Sequence, residues 1–103
     1  MNRVEILDMA KQYITKDRAA THGGAEDNFS TIAAFWAAYL SRPVYAEDVC
    51  AMMCLMKLAR FKNNPGHEDN AVDLVGYGAL MGELASLPDE IVAEPSEEDA
   101  QAL

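Results

Sequence analysis

KLARFKNNPGHEDNAVD, residues 57–73, sets two helical spacings on either side of a break. Asn63-Asn64-Pro65-Gly66 cannot carry a helix through, because Pro lacks the N–H and Gly is conformationally loose. Before the break, Lys57 and Arg60 lie i, i+3 on one helical face; after it, Asp69 and Asp73 lie i, i+4. Folding the two segments antiparallel about Pro65 brings bases and acids to similar heights. Lys57 is eight residues before Pro65 and Asp73 eight after, while Arg60 is five before and Asp69 four after. Two readings follow. In one, interhelical salt bridges fix the register. In the other, the carboxylates hold a divalent cation or a hydroxyl, and Lys57 and Arg60 hold phosphate oxygens.

The flanking sequence extends this hairpin in both directions. Upstream, the third helix starts between Ala46 and Asp48 and reaches Asn63, and its centre, VCAMMCLM at 49–56, is apolar on every side. Such a helix has to be covered all round. Three other short helices barely suffice, so a homodimer or higher homo-oligomer is expected. Cys50 and Cys54, i, i+4 within that run, read as buried reduced thiols. Downstream, the fourth helix runs from about Glu68 to Leu87, where Pro88 stops it. Gly76, Gly78 and Gly82 interrupt it at about 1 kcal/mol each relative to Ala. Gly78 and Gly82 share a face with Ala71 and Val75, which predicts a close seam against the Ala-rich second helix, AAFWAAYL at 33–40.

Nearer the N-terminus, Asn2–Lys16 reads as a helix with Val4, Leu7, Ala10 and Ile14 on one stripe, widened by Ile6 and Tyr13. DRAATHGGAE breaks it. A second helix runs from about Glu26 to Leu40 with Phe29, Ile32, Ala33, Trp36 and Leu40 on its core face, and Pro43 closes it. The apolar–polar alternation of a strand is absent. The expected fold is all-α: a four-helix domain over residues 1–87, containing the antiparallel hairpin of helices three and four.

Charge limits the function classes. The chain carries 17 acids against 8 bases, a net of −9. Six acids and no base lie from Pro88 onward, so residues 1–87 carry 11 acids against 8 bases, a net of −3. Residues 88–103 therefore read as an acidic, disordered tail. With no basic stripe, binding to a polynucleotide is not expected. No apolar run is long enough to span a membrane, and no signal-peptide core is present, so a cytoplasmic protein is expected. In the loop DRAATHGG, Glu26 and Asp27 follow at the positive end of the next helix and disfavour phosphate there. Arg18 and His22 remain as candidate ligand contacts.

The pieces DRAATHGGAEDNFSTIAAFWAAYL and DVCAMMCLMKLARFKNNPGHEDNAVDLVGYGAL together resemble a family of small phage and prophage proteins. The likeness covers residues 16–83 and is carried by Arg18, Gly23, Asn28, Phe29, Trp36, Lys57, Arg60, His67, Asp69, Asn70, Asp73, Gly76 and Tyr77. His22 stands where a Tyr is more usual. More remotely, helices three and four are similar to the MazG-like and dimeric dUTPase group of all-α NTP pyrophosphatases, which bind Mg²⁺ with acidic pairs on successive helices. The chain departs from that pattern at helix three, where Lys57 and Arg60 stand in place of carboxylates and Glu47 and Asp48 lie at the far end.

Spacing and resemblance together give the expectation of a protein that binds a phosphorylated nucleotide or nucleotide-like ligand. Lys57 and Arg60 would hold phosphate, Asp69 and Asp73 a Mg²⁺ ion or ribose hydroxyls, and Arg18, Asn28 and Tyr77 the remainder. Its enzymatic version is Mg²⁺-dependent hydrolysis of a nucleoside triphosphate. The alternative is a non-catalytic interaction protein, such as an inhibitor of a host defence factor, acting through its acidic surface.

Overall fold

The computed structural model describes residues 1–17 and 25–86. In chain order the elements are α1 (Arg3–Gln12), continuing as a π-helical segment (Tyr13–Asp17), α2 (Ala25–Leu40), α3 (Ala46–Asn63) and α4 (Asp69–Ala85). All regular structure among the described residues is helical, as expected. None of these helices is long and apolar enough to cross a membrane. The loop with Arg18 and His22, and the acidic segment 88–103, lie outside the described residues.

Local chemistry sets the helix ends. Asn2 caps α1 reciprocally: its side chain accepts from the Glu5 N–H at 2.9 Å, and the Glu5 carboxylate accepts from the Asn2 N–H at 3.3 Å. At the end of α2, Ser41 takes a left-handed φ of 57°, and the Arg42 N–H reaches back to the Ala37 carbonyl at 3.2 Å. That is the 6→1 bond that closes a helix at a left-handed residue. At the start of α3, Asp48 accepts the Tyr45 N–H at 2.9 Å.

The core forms where α2, α3 and the second half of α4 meet. Phe29, Ala33 and Ala37, one turn apart on α2, pack with Val49 and Cys50 of α3 and with Leu80 and Leu84 of α4. Helices α3 and α4 form an antiparallel pair, and α1 lies against α4.

Three expectations change. On α1, Val4 and Leu7 are more than half exposed, whereas Ala10 is buried and Ile6, Met9 and Ile14 are half-buried. The buried stripe is rotated from the expected one because α1 docks on α4 through Ala10 and Ile14. The close approach along α4 also lies elsewhere. A Cβ on Gly78 or Gly82 would meet nothing within 4 Å among the described residues, whereas one on Gly76 would lie 3.1 Å from the Ile14 Cγ2. The glycine that admits a neighbour thus faces α1 rather than α2. On α2, Leu40 is about half exposed (49%) at the helix end instead of joining the core.

Candidate functional site

The hairpin turn carries its own fastener. The His67 N–H bonds to the Asn64 carbonyl at 3.2 Å, and the Asn70 side-chain amide donates to the same carbonyl at 3.2 Å. Asn70 is buried, so its amide has to find such a partner. The turn is closed from both sides, and this fixes the register of α3 against α4.

In that register the Lys57 ammonium lies 2.7 Å from the Asp73 carboxylate, with side-chain exposures of 11% and 29%. The matched spacing either side of Pro65 is thus realised. A lysine this enclosed requires a counter-charge, because an unpaired buried ammonium is costly. The companion pair does not form. Asp69 lies 3.6 Å from His67 Nε2, both side chains being 57% exposed, and Arg60 forms no ion pair among the described residues. Asp69 is the first residue of α4, so the His67 imidazole in the preceding turn is its nearer neighbour.

Two cavities are relevant, one bordered by Asp73 and one at the hairpin turn. One, about 70 Å³, lies between α1 and α4 and is lined by Tyr13, Ile14, Asp73, Gly76 and Tyr77 among others. This has room for roughly two water molecules at about 30 Å³ each. The π-helical turn supplies Tyr13 and Ile14 to it, and the bare Cα of Gly76 forms part of its wall. The other, about 230 Å³ and more open, lies at the hairpin turn and is lined by Arg60, Asn63, Asn64, His67 and Asn70. It falls below the roughly 300–1,000 Å³ of sites that enclose a drug-sized ligand. It suits a charged headgroup, with a guanidinium, an imidazole and amides around it.

The residues expected to form a site therefore divide. Lys57 and Asp73 meet. Arg60 lines the turn pocket with Asn70, which lies one helical turn before Asp73. Tyr77 follows Asp73 by one turn and is half-buried, its ring 6.3 Å from that of Phe29 in an edge arrangement. Asn28 is half-buried beside Phe29 at the start of α2. Asp69 and Asp73 have different partners, His67 and Lys57, and no group of three or more His, Cys, Asp or Glu among the described residues is placed to hold a metal ion. Asn63, Asn64, His67 and Asn70 were not expected in a site. Their signal was present in the polar turn NNPGHEDN, where composition marks a loop but not its concavity.

Two further groups are notable. A Glu47 carboxylate oxygen near the start of α3 is buried with no hydrogen-bond partner among the described residues. Cys54, partly buried on α3, has its thiol pushed above the usual range by that burial.

Comparison with known proteins gives a family. Residues 5–85 match the domain of unknown function DUF6378. The "Gene 55 protein" of Mycobacterium phage L5 is 39% identical over 88 residues, covering 84% of this chain and 56% of the relative. The "Gene 55 protein" of Mycobacterium phage D29 is 33% identical over 97 residues, covering 94% of this chain and 63% of the relative. The chain thus spans less than two thirds of the length of these relatives. No solved structure matches. The remoter likeness to the all-α pyrophosphatases gains no support from these comparisons. With the match running from α1 to the end of α4, and phage proteins among its relatives, the chain belongs to the DUF6378 family.

Proposed function

We propose that this member of a phage-associated family binds a phosphorylated, nucleotide-like small molecule along the α3–α4 edge, with the phosphate in the turn pocket. The observation that carries the reading is the pocket itself. Arg60, with no ion pair among the described residues, faces a 230 Å³ concavity together with His67, Asn63 and Asn70. A guanidinium free of a carboxylate can present two parallel N–H donors to a phosphate. Lys57 does not take that role in this reading, because Asp73 already holds its ammonium.

The charge arrangement sets what the ligand would meet. Its phosphate faces Arg60 and His67, and polar groups next to the phosphate face the Asn63 and Asn70 amides. The Asp69 and Asp73 pair does not by itself fit a metal ion: one carboxylate is held by Lys57 and the other lies beside His67. Magnesium is therefore a variable in the test, not a premise.

The test is thermal shift with a panel of nucleoside mono-, di- and triphosphates, with and without Mg²⁺, on the parent chain and on Arg60→Ala. A ligand at 100 times its dissociation constant stabilises the fold by about 2.7 kcal/mol. The expected result is a shift with at least one phosphorylated nucleotide that Arg60→Ala abolishes. A flat panel, or shifts that Arg60→Ala leaves intact, overturns the reading. A second reading, a protein that acts by docking to another protein, is favoured by one observation: Phe35 and Tyr39 on α2 are 71% and 89% exposed.

A further inference from the structure

Five positions on α3 follow one another at steps of four, three, four and three residues: Asp48, Met52, Leu55, Ala59 and Lys62. At about 100° per residue this places them on one stripe, centred roughly opposite Lys57. Lys57 points into the molecule at Asp73, so the stripe points out. Exposure agrees. Met52 is 38% and Leu55 65% exposed, Met56 beside them is 37% exposed, and Ala59 and Lys62 are also exposed. Between Asp48 and Arg60 the only charge on this helix is Lys57, which is turned away.

The stripe is complementary to itself. The apolar segment has Leu55 at its centre, with an acid seven residues before it and a base seven residues after it. Each lies roughly 10 Å along the axis from Leu55. A twofold axis through Leu55 would lay two copies of α3 antiparallel. It would put Leu55 on Leu55 of the partner subunit and Asp48 across from Lys62 of the partner subunit, twice. The alternating steps of three and four are the spacing that keeps two helices in contact along their length. Antiparallel helix dipoles add to the same preference. An unrelated partner would require none of this symmetry, whereas an isologous contact requires all of it. We infer that the chain forms a twofold dimer through the outer face of α3, with Leu55 at the axis and Asp48–Lys62 pairs at both ends.

Sedimentation velocity on the full chain across a dilution series reads the association directly. The parent chain should sediment as a dimer that dissociates on dilution. Leu55→Glu, at an exposed position, should keep its helical circular dichroism and raise the dissociation constant by about 100-fold, as loss of a central contact does. Lys62→Glu should raise it about tenfold, because it sets two carboxylates against each other at each end. Leu55→Cys under mild oxidation should give a disulfide-linked dimer, while Val4→Cys, exposed on α1, should not. A parent chain that is monomeric throughout the series overturns the inference. So does a dimer that Leu55→Glu leaves unchanged.

Discussion

Asp73 and Lys57 are the pair on which the hairpin register can be tested. Asp73→Leu strands an ammonium that is only 11% exposed. The expected cost is about 2–3 kcal/mol, below the roughly 3–5 kcal/mol of a fully enclosed pair, because water reaches the Asp73 side. The double change Lys57→Met with Asp73→Leu should restore most of that loss, read by urea denaturation. If the double variant is no better than the single one, the pair is not an isolated brace. The two cysteines give an independent check on burial. Cys50 is fully buried, and burial holds the Cys54 thiol in its protonated form at neutral pH. Since the thiolate is the reactive species, both should react slowly with a disulfide reagent in the folded chain and quickly in denaturant.

The three glycines of α4 are chemically alike but differ in their surroundings. Gly78→Ala and Gly82→Ala place a methyl in open space and should each gain up to about 1 kcal/mol from helix propensity. Gly76→Ala meets the Ile14 methyl at 3.1 Å and should not gain, so the order of the three denaturation midpoints is the test. The end of α2 offers a second case. Ser41 holds a left-handed φ of 57°, so Ser41→Gly should stabilise by about 0.5–1 kcal/mol once the greater freedom of unfolded glycine is deducted. At this scale the sequence was partly readable. The hairpin was legible because Pro65-Gly66 marks the turn and Lys57 and Asp73 stand eight residues to either side of Pro65. The α1 face was not, because Val4 and Leu7 are as apolar as Ile6 and Met9, and only docking on α4 selects between them. The π-helical turn at Tyr13–Asp17 left no mark in the periodicity, so the cavity it helps to line could not be foreseen. Arg60, expected as a ligand contact, lines the turn pocket, but its separation from Asp69 depends on how close His67 comes in the turn.

Taken as a whole, the chain combines a net charge of −9 with large apolar side chains left uncovered on α1, α2 and α3. Charge of that size keeps copies apart in solution, so association has to rest on faces that are locally free of acids. The centre of the outer face of α3, from Met52 to Ala59, is one such surface. The order of assembly within one chain follows from the hairpin turn. Helices α3 and α4 are joined by five residues, 64–68, as α2 and α3 are by 41–45, and the α3–α4 contact is the most extensive between helices. Little chain entropy is lost in closing so short a loop, and domains built from local helical contacts fold in microseconds to milliseconds. The Asn70 amide, tied to the Asn64 carbonyl, is therefore expected in the folding nucleus, and α1 is expected to dock later. Stopped-flow chevrons should show this division. Asn70→Ala should act mainly by slowing folding, and Ala10→Gly on α1 mainly by speeding unfolding. One side-chain amide at a turn would thus set the rate at which the fold appears, and the α1 contact the time for which it persists.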